Sequence, residues 1–111
     1  MRVIQTNDVP TKPVPGIKGV TLRWVLAENV EAPNFHMRVI EVQPGAATEK
    51  HQHNWEHEVY VLEGNGTVLN AEGTQTLQPG TVVYVAPNEL HQFSNAGQTT
   101  LRFICVIPRL D

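Results

Sequence analysis

Apolar and polar residues alternate with a period close to two along most of this chain, and no stretch carries the 3.6-residue repeat of an amphipathic helix. Seven segments combine that alternation with β-branched and aromatic residues: Val20 to Leu26, His36 to Val42, His57 to Leu62, Thr67 to Asn70, Thr74 to Leu77, Thr81 to Val85 and Leu101 to Ile107. Turn signals stand between them. Gln43-Pro44-Gly45 and Gln78-Pro79-Gly80 each put proline and then glycine at the two central positions of a type II turn. Ala71-Glu72-Gly73 joins two alternating runs as a hairpin would. The pattern predicts an all-β domain whose strands close into a sandwich or barrel. Pro10, Pro13 and Pro15 predict an extended N-terminal arm over residues 1–19, which either packs on its own barrel or frays, or reaches across to a second copy where one is present, with the barrel domain spanning 20–111.

Length and composition narrow the classes. At 111 residues there is room for one core. A hydrophobic content of 41% with 17% charged residues is ordinary for a soluble globular protein, and a formal net charge of −3 lacks the basic footprint of a nucleic-acid binder. One cysteine forms no internal disulfide, and no apolar run approaches the roughly 18 residues of a membrane-spanning helix. The segment Met1 to Asp8 has no long apolar stretch of the kind a secretory leader needs, so the cytoplasm is the expected location.

The candidate chemistry lies in the histidines. Four of the five stand as His51-x-His53-x-x-x-His57 and, later, His91. His51, His53 and His57 share one parity, so on extended backbone all three side chains can point to one face. His91 follows a Pro87-Asn88 turn between two apolar runs, which can aim it back into a barrel. Converging neutral imidazoles favour a divalent first-row transition metal over calcium or magnesium. His36 stands outside the pattern.

On these residues the chain resembles the cupin superfamily. The first cupin motif runs glycine, five residues, His-x-His, three or four residues, glutamate, six residues, glycine; Gly45, His51, His53 and Gly64 match it. His57 and Glu58 compete for the third ligand position. Six residues separate His57 from Gly64, as the motif asks, and His57 also has the parity of the other ligands, so we read His57 as the ligand and Glu58 as pointing away from the metal or supporting it from behind. In the second motif, Gly80, His91 and Asn95 match, whereas Ala86 stands in the proline position and Asn88 in the glycine position. Asparagine tolerates left-handed backbone better than most residues, so the turn survives. The resemblance is to small four-histidine cupins. It implies a jelly-roll β-barrel, one divalent metal per chain on His51, His53, His57 and His91, and pairing into a homodimer through a sheet.

Four neutral ligands leave the charge of a divalent ion uncompensated, which favours an anionic, oxygen-rich small-molecule ligand. Manganese or iron is the leading assignment because an open six-coordinate site suits either, with zinc, nickel and copper as alternatives. Parity on the last strand puts Phe103 and Cys105 on the cavity face and leaves Arg102 to solvent. Arg38, if inward, can hold a substrate carboxylate, and Glu89, two residues before His91, is the candidate proton shuttle or imidazole orienter. The reading this supports is a small metalloenzyme with oxygenase-like or decarboxylase-like chemistry on a small oxygenated acid. A non-catalytic binding or sensing module is the alternative, and a metal-dependent sugar isomerase the third.

Overall fold

The structure, a computed structural model, describes residues 1–110. Nine strands occur among them: β1 (Lys12–Val14), β2 (Ile17–Leu26), β3 (Phe35–Val42), β4 (His57–Glu63), β5 (Gly66–Asn70), β6 (Gly73–Leu77), β7 (Val82–Val85), β8 (Gln92–Ser94) and β9 (Leu101–Pro108). They form a six-stranded sheet in the order β1-β2-β3-β9-β4-β7 and a three-stranded sheet in the order β6-β5-β8, all pairs antiparallel. The inner faces close on each other as a jelly-roll barrel.

Period-two burial decides which residues meet inside. Along β9 Leu101, Phe103, Cys105 and Ile107 are buried while their neighbours are only partly so, and along β4 His57, Val59 and Val61 are buried between the exposed Glu58 and Tyr60. These side chains join Val20, Ile40, Val42, Leu77, Val85 and Phe93 in one core, in which the Phe93 and Phe103 rings stack at 4.8 Å. Arg102 lies on the outer face as its parity predicts, between Glu63 at 3.2 Å and Glu41 at 3.9 Å.

Both Gln-Pro-Gly turns form. The amides of Ala46 and Thr81 donate back to the carbonyls of Gln43 and Gln78, each at 3.0 Å, and the glycines carry φ of +83° and +91°. Asn88 takes φ +65° in the place where the motif has glycine, and its amide donates to the His53 carbonyl at 2.6 Å. Asn95, 1% exposed, acts as a staple: its side-chain amide donates to the carbonyls of Val42 and Thr99, each at 2.8 Å, and its side-chain oxygen accepts from the Gly97 amide at 2.9 Å.

The first nineteen residues are more ordered than a bare arm. β2 begins at Ile17, and Lys12–Val14 adds an edge strand to it. Pro13 is tolerated there because an edge strand has one row of backbone groups that needs no ladder partner. Upstream of β1, the Arg23 guanidinium holds the arm by donating to the Val9 carbonyl at 2.6 Å.

Candidate metal centre

The ligand candidates are brought together by a crossing of two segments. His51 and His91 pair backbone to backbone as an isolated antiparallel bridge, with N–H···O distances of 3.2 and 2.9 Å. The same ladder continues where Thr48 donates its amide to the Phe93 carbonyl and accepts the Phe93 amide on its hydroxyl. His53 is fixed two residues further on through the Asn88 contact. Only His57 belongs to a regular strand. The parity argument therefore accounts for His57, whereas the side chains of His51 and His53 are aimed by this crossing.

The four rings face one another. Centroids lie 4.8 Å apart for His51–His53 and His51–His91, 4.7 Å for His53–His57, 4.9 Å for His57–His91 and 5.1 Å for His53–His91. The donor atoms of His51, His53 and His91 all fall within 4.8 Å of one another, as a shared ion requires. His57 adds its Nε2 at 3.0 Å from the His53 Nε2.

Hydrogen bonds behind the rings set which nitrogen is free. The Glu89 carbonyl takes the Nδ1–H of His91 at 2.8 Å, and the Trp55 carbonyl takes that of His53 at 3.3 Å. Each neutral ring then presents its Nε2 lone pair to the centre. His53 also stacks on Trp55 at 3.9 Å, which holds the ring plane. At the rim the Nδ1 of His51 lies 3.4 Å from a Glu49 carboxylate oxygen, the carboxylate–histidine arrangement that orients metal ligands and raises their basicity. Behind His57, Nδ1 is 3.1 Å from the Cys105 Sγ and 3.4 Å from Nη2 of Arg38, which also donates to that sulfur at 3.0 Å.

Burial keeps the cluster neutral. Desolvation first, then the Arg38 guanidinium, push His57 down to about 3, and desolvation also lowers His53 and His91. The Cys105 thiol is pushed up by burial, against the pull of Arg38. Neutral His53, His57 and His91 with no protein cation between them suit a metal ion, and the donor set fits with the His57 proton on Nδ1.

The remaining sequence candidates are placed as follows. Phe103 and Cys105 line the barrel cavity. Arg38 faces inward from β3, packed on Trp24 with its guanidinium carbon 5.4 Å from the ring centroid, and its buried Nε has no hydrogen-bond partner among the described residues. Glu58 is exposed on the outer face of β4. The Glu89 carboxylate accepts from the Ala86 amide and from Asn70, each at 3.1 Å, and those two bonds, the Ala86 one foremost, hold it below the usual carboxylate range. It is the Glu89 carbonyl, not its carboxylate, that reaches His91. The sequence reading missed Glu49 and the carbonyl of Trp55. The signal for Glu49 was an acid two residues before His51; nothing in the sequence marks a carbonyl.

A two-sheet jelly-roll barrel enclosing a cluster of imidazoles defines the class of small barrel proteins built around an internal ligand site. Within that class this chain belongs to the cupin family, whose Cupin domain it matches over residues 38–107. Its fold superposes with a TM-score of 0.91 on the polyketide cyclase RemF from Streptomyces resistomycificus, at 33% identity over 97% of this chain and 79% of that one. It is 28% identical to the L-ectoine synthase of Mycolicibacterium gilvum over 94% of this chain and 81% of that protein. It is 22% identical to an oxalate-binding protein of Thermotoga maritima, over 95% and 92%.

Proposed function

We propose that this cupin holds one divalent metal ion on His51, His53, His57 and His91, manganese or iron in preference to zinc, nickel or copper, and acts as a small metalloenzyme on an oxygenated acid. The observation that carries the reading is the pair of Nε2 atoms of His53 and His57, 3.0 Å apart inside a ring of four imidazoles. A bound ion supplies Lewis-acid polarisation of an oxygen-bearing ligand and, if redox-active, electron transfer to it. Arg38 supplies the second positive group, and its unpartnered Nε suits an anionic substituent beside the ion. Phe103 and the other apolar walls exclude water. Oxygenase-like or decarboxylase-like turnover is the reaction class proposed.

The binding-module reading is favoured by a specific observation. The Glu89 carboxylate is occupied by Ala86 and Asn70, which leaves the cavity without a free acid–base group next to His91. Metal-dependent aldose–ketose exchange would instead expose a sugar isomerase. A homodimer is proposed through the outer face of the large sheet, where Tyr60, Leu62, Val82 and Tyr84 are exposed on the neighbouring strands β4 and β7.

The test is elemental analysis of protein purified without chelators or an affinity-metal column, together with His57→Ala and Glu58→Ala. Near one manganese or iron per chain, lost in His57→Ala and kept in Glu58→Ala, supports the four-histidine site. No metal in the native protein and none taken up on reconstitution would sink it. Oxygen consumption or carbon dioxide release with candidate acids separates the enzyme from the module.

A further inference from the structure

Two of the cavities of this structure adjoin each other. The first, of about 240 Å³, contains the imidazole cluster and Arg38. The second, of about 610 Å³, lies under the N-terminal arm, between Val9 and Pro10 on one side and His36 on the other. Trp24, Ile107 and Leu110 line both. Trp24 stands at the divide: its ring packs on the Arg38 guanidinium at 5.4 Å and meets the His36 ring edge to face at 6.2 Å.

His36 is the unexplained group there. It is 7% exposed, lines the second cavity, and makes no hydrogen bond to any described residue. Its ring carries a donor and an acceptor that open to this cavity, where a ligand or ordered water can partner them. The spacing is regular. His36 and Arg38 are two residues apart on β3, about 7 Å along an extended strand, roughly the separation of substituents at opposite ends of a two-ring fused aromatic. The divide between them is apolar, made of Trp24, Ile107 and Leu110, while Asp8, Lys12, Glu28 and Asn29 add polar groups to the rest of the second cavity. A two-carbon acid, comparable in size to a few waters at roughly 30 Å³ each, leaves most of this space unfilled.

We infer that the His36 cavity is a second subsite of the metal-site cavity, and that the ligand is elongated: an oxygen-bearing chelating end at the imidazoles, a flat and largely apolar body along Trp24, and a polar group at the far end that hydrogen-bonds His36. This rests on the metal reading above and narrows its ligand from a small acid to a ring-bearing one. His36 is on this account a specificity-determining residue, and Val9 and Pro10 make the arm a wall of the binding site.

The test uses zinc-loaded protein, diamagnetic for NMR, and three probes with the same kind of chelating head: oxalate, salicylate and 3-hydroxy-2-naphthoate. Calorimetry should show naphthoate bound about tenfold or more tighter than salicylate, since the added ring is buried. Val9→Trp, which fills the second cavity from the arm, should abolish that gain, so that within the variant naphthoate binds no tighter than salicylate. The His36 ring resonances, assigned by their loss in His36→Phe, should move with naphthoate and stay in place with oxalate. Equal affinity for salicylate and naphthoate, or a gain that survives Val9→Trp with His36 unmoved, overturns the subsite. Failure of all three probes to bind, in protein that takes up no zinc, overturns the metal reading instead.

Discussion

The Nε2 atoms of His53 and His57 face each other at 3.0 Å, and only one of them has a proton to offer. His53 gives its Nδ1–H to the Trp55 carbonyl, whereas Nδ1 of His57 accepts from Arg38, which can only donate. The His57 Nε2–H therefore points into the His53 lone pair. On the proposed metal reading an ion would take the place of that proton; His57 would then carry its proton on Nδ1, toward the Cys105 sulfur, and Arg38 would keep only its contact to that sulfur.

Metal should accordingly stabilise the fold by binding the native state alone. At about 100 times its dissociation constant an ion adds roughly 2.7 kcal/mol, which for a domain of this size raises Tm by about 10 °C or more. Differential scanning fluorimetry with manganese, iron(II) and zinc should show the rise in the native protein and its absence in His57→Ala.

Metal-free protein should lose stability as pH falls below 6.5. The native pKa of His57 lies near 3, so between 3 and 6.5 the unfolded chain binds the proton and the native state does not. Stability then rises with pH across that window, by up to about 1.4 kcal/mol per unit for this group, and the lowered values of His53 and His91 act in the same direction. Urea unfolding of chelator-treated protein at pH 4.5, 5.5 and 7 reads the slope. A slope confined to acid-side carboxylate titration, unchanged in His57→Gln, would contradict it.

Cys105 should be inert in the folded protein. It is 2% exposed, and burial pushes its thiol up, away from the reactive thiolate. Labelling with a thiol reagent at pH 7.5 is expected to run on the order of a hundredfold or more slower than in denatured chain, and to speed up only when unfolding is induced.

Asn95→Ala should unfold the protein more easily without altering the site chemistry. It removes three side-chain hydrogen bonds from a fully buried position and leaves the Val42 and Thr99 carbonyls short of a donor. A loss of about 2–4 kcal/mol is expected by denaturant titration. Metal stoichiometry measured well below the lowered Tm should stay at the native value.

Tyr84→Lys should weaken the proposed dimer. Tyr84 and Val82, on the edge strand β7, are 61% and 68% exposed, and a charge there opposes burial against a second copy. Sedimentation should show the native chain as a dimer and the variant shifted toward monomer; a native monomer would remove that assignment.

The seven strands read from alternation all appear, with ends displaced by a few residues at most; β4 and β9 show why, with one face on the core and the other outward, whereas β5 and β6 lack that division. The two strands not foreseen are three residues long. β1 is hidden by Pro13, which forbids a central strand but not an edge, and β8 is too short for a period of two to register. At the site, the residue types and the spacing of His51, His53, His57 and His91 were legible, as was the inward direction of Phe103 and Cys105.

What the sequence determined by itself is local: which residues alternate, where the chain turns, and that three imidazoles of one parity stand at 51, 53 and 57. Side-chain direction along a strand follows from backbone geometry alone, so it can be read without the fold. The tertiary structure decided the rest. The bridge between His51 and His91 joins positions forty residues apart, the Trp55 and Glu89 carbonyls select the free nitrogens, and the arm closes a second cavity over His36. These depend on long-range backbone pairing, in which any polar residue at the same spacing has an equal claim until the chain is folded.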